Sequence, residues 1–121
     1  IMISQADCGV FVSRAEGWNN EILEAMSMNK PCIVTNYSAH TEYCNSDNSY
    51  LVTINNTEPA IDNKWFFGQG NWANINSEAQ DNIIDHMRYV YYNNIRTNPN
   101  GIKTSQKYSW LNTAEILYAN S

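Results

Sequence analysis

The stretch CGVFVSRAEGWNNEILEAMSMNKPCIVT, residues 8–35, decides the fold. Its opening, Cys8-Gly9-Val10-Phe11-Val12, is a nearly continuous apolar run. Such a run reads as a buried strand of a parallel sheet, because these strands are covered on both faces and do not alternate. Residues 13–19 are mostly polar, include Gly17, and read as a loop. Asn19 or Asn20 can cap a helix, since the Asn side-chain oxygen accepts a bond from an unpaired first-turn N–H. Ile22, Leu23 and Met26 mark the inner face of that helix. It stops near Asn29-Lys30-Pro31, where Asn tolerates the left-handed position and proline cannot continue a helix. Cys32-Ile33-Val34-Thr35 is the next strand, short and apolar with β-branched residues.

Outward from this stretch, residues 36–38 form a turn, His40 to Asn45 a short helix, and Ser49 to Ile54 a third strand. Residues 1–54 therefore alternate strand and helix with short connections, which predicts parallel pairing. Residues 55–76 mix turn formers with Trp65, Phe66, Phe67 and Trp72, and read as an irregular aromatic segment with a short strand at Lys64–Phe67. Residues 77–121 read as C-terminal helices. Ser77 is the expected N-cap of the first, with Glu78 favourably placed against the helix dipole. Ile83, Ile84, Met87, Val90 and Tyr91 fall on one face. Asn98-Pro99-Asn100-Gly101 breaks the chain. A last helix, about Ser109 to Ala119, is expected to bury Leu111, Ile116 and Leu117. Residues 1–6 read as the tail of an element that begins upstream, so the chain reads as a piece of a longer protein.

Composition sets the outer bounds. The 121 residues are the length of one domain, and 43% hydrophobic content suffices for a core. Only 16% of residues are charged, below the ~25% usual for soluble domains, with asparagine in their place. The net charge of −5 and the lack of a basic stripe argue against a nucleic-acid partner. No apolar run approaches the ~18–20 residues of a membrane span. No charged-then-apolar leader opens the chain, and a cytoplasmic location is expected. The cysteines, Cys8, Cys32 and Cys44, are odd in number and lack CxxC spacing, which argues against a disulfide framework or a zinc site. Cys32 reads as a small buried hydrophobe.

The loop between strand and helix is the candidate site. In open α/β sheets, ligands bind at the carboxyl ends of the strands. A helix that starts there offers free N–H groups and a partial positive charge, which suits a phosphate. Gly17 lets a ligand approach the backbone closely. Glu16 and Glu24 are poor phosphate ligands but good acceptors for vicinal hydroxyls. Together these features suggest a nucleotide-sugar pocket.

The same residues carry a family resemblance. Glu16-Gly17-Trp18-Asn19 and Leu23-Glu24-Ala25-Met26, then Lys30-Pro31-Cys32-Ile33-Val34-Thr35 and Tyr37 to Glu42, resemble the E-x7-E region of retaining GT-B glycosyltransferases of the family 4-like group. Asp62 to Phe66, Gly70 to Ala73, Met87 to Tyr91 and Tyr108-Ser109-Trp110 are similar to later parts of that group. The resemblance implies a three-layer α/β/α Rossmann-like fold with a short parallel sheet and trailing C-terminal helices. On this view, residues 1–121 are a single partial domain, the later part of the GT-B nucleotide-sugar-binding domain. The resemblance further implies that Glu16 binds donor-sugar hydroxyls. The backbone of Gly17, Trp18, Asn19 and Asn20 would lie against the sugar and β-phosphate, and Glu24 would hold the ribose. Arg14, His40 and Glu42 are secondary candidates: Arg14 and His40 near the phosphate, Glu42 as a brace for the Glu16 loop. Asn19 and Asn29 stand where the family commonly has glycine.

The implied reaction moves a glycosyl unit from a nucleotide-sugar donor to an acceptor hydroxyl with retention. No metal or other cofactor is expected, since the family binds the diphosphate without one and this chain has no DxD. The implied partners are the donor and a separate N-terminal acceptor domain. Any peripheral membrane contact would run through that missing domain. The isolated chain is expected to be inactive. Two other classes remain: a non-catalytic Rossmann-like nucleotide-binding module, and a module that forms homo-oligomers through an exposed sheet edge. His86 reads as a packing or surface residue.

Overall fold

The computed structural model describes residues 2–121. The elements run α1 (Met2–Gln5), β1 (Gly9–Phe11), α2 (Asn20–Ser27), β2 (Cys32–Thr35), a 3-10 turn (Ala39–Glu42) and β3 (Tyr50–Val52). There follow β4 (Thr57–Ile61), β5 (Phe67–Ala73), α3 (Ser77–Tyr92), α4 (Pro99–Lys107) and α5 (Trp110–Ala119). The segment at the chain start is the short helix α1; Ile1 lies outside the described residues.

β1, β2 and β3 form a parallel sheet in that order, with Gly9 opposite Cys32 and Ile33 opposite Tyr50. β2 is central, and all four of its residues are buried. Its pleat sends alternate side chains to opposite faces. Cys32 and Val34 pack with Ile22, Ala25 and Met26 of α2, and with Tyr43 and Cys44. Ile33 packs on the other face with Val52 and Ala79 of α3. The architecture is thus three-layer α/β/α, as expected. Full burial of one aliphatic side chain contributes about 1.5–3 kcal/mol, so α2 and β2 carry much of the core. β1 is less covered than its apolar sequence predicts: it is an edge strand, and Val10 remains 41% exposed.

Residues 55–76 correct the expectation of an irregular segment. They hold an antiparallel hairpin, β4 with β5, in which Thr57 faces Ala73 and Ile61 faces Phe67. A register irregularity falls between Pro59 and Ile61, the kind of place where a strand tolerates proline. Asp62 Oδ1 accepts bonds from the N–H groups of Lys64, Trp65 and Phe66 at 2.8–2.9 Å and closes the turn where a strand was expected. Those backbone bonds, Phe66's first, hold the Asp62 carboxyl below its usual range.

The helices also differ in detail. α3 is capped by Asn76, not Ser77: the Asn76 side chain accepts from Ala79 N at 3.0 Å. Its buried residues are Ala79 and Val90, while Ile84, Met87 and Tyr91 are exposed. Asn98-Pro99 does not break the chain but opens α4. Asn98 is the N-cap, accepting from Gly101 N at 2.9 Å, and proline fits the first helical turn, where its missing N–H costs nothing. A Cβ at Gly101 would collide with the Asn98 carboxamide, so only glycine admits this cap. Asn98 Nδ2 also donates to the Lys30 and Asn48 carbonyls, tying α4 to the end of α2 and to the segment before β3. α5 begins after the N-cap Ser109, but Leu111, Ile116 and Leu117 are 68%, 63% and 67% exposed, against the expectation that they are buried. No described element covers them.

Candidate functional site

The loop between β1 and α2 lies at the carboxyl end of the sheet and is held by side chains remote in sequence. Thr35, the last residue of β2, donates its hydroxyl to Ser13 O at 2.7 Å. Ser38 clamps Glu16 from both sides: its Oγ accepts from Glu16 N and donates to Glu16 O, each at 2.8 Å. Ser38 does so from a left-handed backbone, φ 76°, a conformation that costs a non-glycine residue about 1–3 kcal/mol and that the surroundings must enforce. Tyr43 Oη lies 2.7 Å from both the Trp18 and Asn19 carbonyls and shares its single proton between them. Burial, chiefly, pushes the Tyr43 phenol above its usual range, so it remains a donor. The Trp18 ring packs on Tyr43 at 4.9 Å and on Tyr108 at 5.6 Å between centroids.

Asn19 is buried and left-handed, φ 65°, and its side chain makes no cap bond to α2. The sequence expectation of a side-chain cap is therefore corrected: the backbone needs a positive φ here, and Asn is one of the few residues that tolerates it. That also accounts for Asn at a position where glycine is common. Asn29 is left-handed as well, φ 61°. Gly17 is not left-handed, and a Cβ there would meet nothing within 4 Å. The chain itself does not require glycine at that point; the open space beside it does not belong to the fold.

The remaining candidates separate. Asn20 and Glu24 line a cavity of about 240 Å3 with Tyr108 and Trp110. Trp18 and Asn20 line a second, of about 380 Å3, with the same two aromatics. Sequence reasoning gave Tyr108 and Trp110 no place at the site; only the packing of α4 against α2 brings them there. His40 is fully buried, and its Nε2 lies 2.6 Å from Thr35 O, so that nitrogen donates. Its place is inside the turn after β2. Glu42 is exposed, and Ser38 is the brace of the Glu16 loop. Arg14 is turned to the hairpin: it pairs with Glu58, donates from Nε to Ala73 O at 3.0 Å, and stacks over Trp72 at 4.2 Å. Its backbone carbonyl accepts from Ala73 N at 2.9 Å. His86 packs, as expected, with Nε2 2.9 Å from Leu51 O.

The family model for glycosyl transferases group 1 matches residues 2–63, just over half of the chain. The chain belongs to that family. The matched segment spans the sheet, the 13–19 loop and α2, and ends in the hairpin turn; β5 and α3–α5 lie beyond it. No curated protein and no solved structure matches the chain. Among the described residues, no three His, Cys, Asp or Glu side chains group as a metal site requires. Among them, too, no helix is long and apolar enough to cross a membrane.

Proposed function

We propose that this glycosyltransferase chain supplies part of a nucleotide-sugar donor pocket in a longer, retaining enzyme of the GT-B type. Glu16 accepts hydrogen bonds from donor-sugar hydroxyls. The backbone from Gly17 to Asn20 lies against the sugar and β-phosphate, and Glu24 holds the ribose hydroxyls. The diphosphate is bound without a metal, by peptide dipoles at the start of α2 and by cations from elsewhere in the enzyme. The carrying observation is the α2 N-terminus. It sits at the carboxyl end of the sheet with no side-chain cap, behind a loop whose carbonyls are already tied to Thr35, Ser38 and Tyr43. Such a fixed, uncapped terminus suits an anion. A preorganised loop also stabilises a departing diphosphate without reorganisation during the reaction.

The test is titration of the chain with UDP-, GDP- and ADP-glucose, followed by amide NMR shifts. Weak binding is expected, with shifts at residues 16–24 that vanish in Glu24→Ala. Shifts confined to other residues, or none up to millimolar donor, reject the pocket. Sugar transfer by the 121-residue chain alone rejects the proposal that it is only part of the enzyme.

A further inference from the structure

The β4–β5 hairpin stands apart from the layered core. β4 and β5 pack on each other, and no other helix or strand makes a comparable contact with either. The hairpin is tied instead to the loop before α2 and to the turn that clamps that loop. We propose that it is a positioning arm for the loop, with Arg14 as the positioning residue that fixes the orientation of Glu16. The role given to Glu16 rests on the donor-pocket reading; the mechanical coupling stands on its own.

Arg14 makes the tie in several ways at once. Its carbonyl accepts from Ala73 N at 2.9 Å, and its Nε donates to Ala73 O at 3.0 Å. Ala73, at the end of β5, is fully buried. The guanidinium pairs with Glu58 and lies over the Trp72 ring, 4.2 Å from its centre. Trp72 Nε1 donates to the same Glu58 oxygen at 3.3 Å. From the turn after β2, Tyr37 donates to Asn71 O at 3.0 Å. A half-exposed ion pair alone contributes little. The planar guanidinium, which stacks and donates in fixed directions, sets the geometry, and a lysine ammonium cannot reproduce it.

Position makes the tie consequential. Ser13, Glu16, Trp18 and Asn19 are anchored by Thr35, Ser38 and Tyr43, all carried by β2 and the chain just after it. Arg14, two residues before Glu16, is anchored by the hairpin. Tyr37 adjoins Ser38, so the hairpin also meets the clamp on Glu16. A displacement of the hairpin is therefore passed to Glu16 along two routes, through Arg14 and through the clamp.

Amide hydrogen exchange tests the coupling without any ligand. Trp72→Leu loosens the tie from the hairpin side. Arg14→Lys loosens it from the loop side and keeps the charge. Both are expected to speed exchange of the Glu16 N–H about tenfold, with Ile33 and Val34 of β2 unchanged. Faster exchange confined to residues 57–73 in Trp72→Leu, or wild-type exchange at Glu16 in Arg14→Lys, overturns the proposal. The second readout is affinity for whichever of UDP-, GDP- or ADP-glucose the chain binds. Arg14→Lys is expected to lower it about fivefold. It should have no further effect once Glu16→Ala is present, because a positioning residue acts through the group it positions. An equal loss in the Glu16→Ala background overturns that role. A chain that binds no donor ends the donor-pocket reading, and exchange at Glu16 then decides the coupling alone.

Discussion

α2 and α5 are helices of similar length in opposite environments. In α2, Ile22, Ala25 and Met26 are all fully buried. In α5, no residue is buried, and Trp110, Leu117 and Tyr118 are 83%, 67% and 86% exposed. α5 is the more apolar of the two, so hydrophobic content does not decide burial. Phase and a partner do. The apolar residues of α2 recur at i, i+3 and i+4, a single stripe that meets β2, with α4 packed alongside. Those of α5 lie all round the helix, and although Trp110 borders the cavities beside α2, none of them is buried.

The contrast is breakable by mutation. The largest effect is expected at the α2 stripe: Met26→Ala should lower the unfolding free energy by about 3 kcal/mol, the usual cost of emptying a buried Met site. Urea denaturation measures it, and a loss below about 1 kcal/mol would mean that the stripe does not hold α2. Next comes the anchor of α4. Asn98→Ala strands the buried Gly101 N–H and leaves the Lys30 and Asn48 carbonyls short of a donor. About 2 kcal/mol is expected, from the cost of unpaired buried polar groups. A near-neutral result would show that α4 covers α2 without that tie.

A pH dependence sharpens the same contrast at lower amplitude. Burial, the main cause, pushes the Cys32 thiol up to about 12 and the Cys44 thiol up to about 11, from 9.0. Both belong to the α2 cluster, and α5 contains no cysteine. Above pH 9.0 the unfolded chain gives up thiol protons that the folded chain keeps. The folded state then binds more protons, and stability falls as pH rises. The contribution is complete below pH 9.0 and is lost on the way to about 11–12. Urea midpoints at neutral pH and at about pH 10 should differ in that direction; equal midpoints would place these thiols in water. The smallest effect is expected from ending the chain after Ser109. Helical ellipticity should drop while stability changes by less than about 1 kcal/mol, as for a segment that opens locally. A loss as large as that of Met26→Ala would erase the contrast.

The same physics set what was legible in the sequence. The strand–helix–strand core was readable because the patterns of β2 and α2 are local and unambiguous. β5 was not, because Gly68, Gln69, Gly70 and Asn71 look like loop residues; its partner β4 supplies the order, a non-local contribution that propensity does not carry. Asn98-Pro99 is ambiguous by nature, since the same dipeptide ends one helix and opens another. Its bonds to Lys30 and Asn48 decide the matter, and nothing local announces them. The burial forecast for α5 failed because a sequence shows which residues are apolar but not what lies opposite. At the site, the loop and the left-handed tolerance of Asn19 were within reach. Its supports, Ser38 and Tyr43, act across 22 to 25 residues on backbone atoms, and such contacts leave no mark on the pattern.

The four tryptophans stand in different surroundings, and that gives the protein a built-in set of optical reporters. Trp65 and Trp110 lie in water, so they already emit as they would in the unfolded chain and will mute any fluorescence change on denaturation. Trp18, locked against Tyr43 and Tyr108, sits in a fixed asymmetric environment and should dominate the near-ultraviolet circular dichroism. Trp72, under the Arg14 guanidinium, senses the hairpin where it meets the loop before α2. Dichroism therefore follows the loop before α2 and its core, while emission after Trp65→Phe and Trp110→Phe reports Trp18 and Trp72 together.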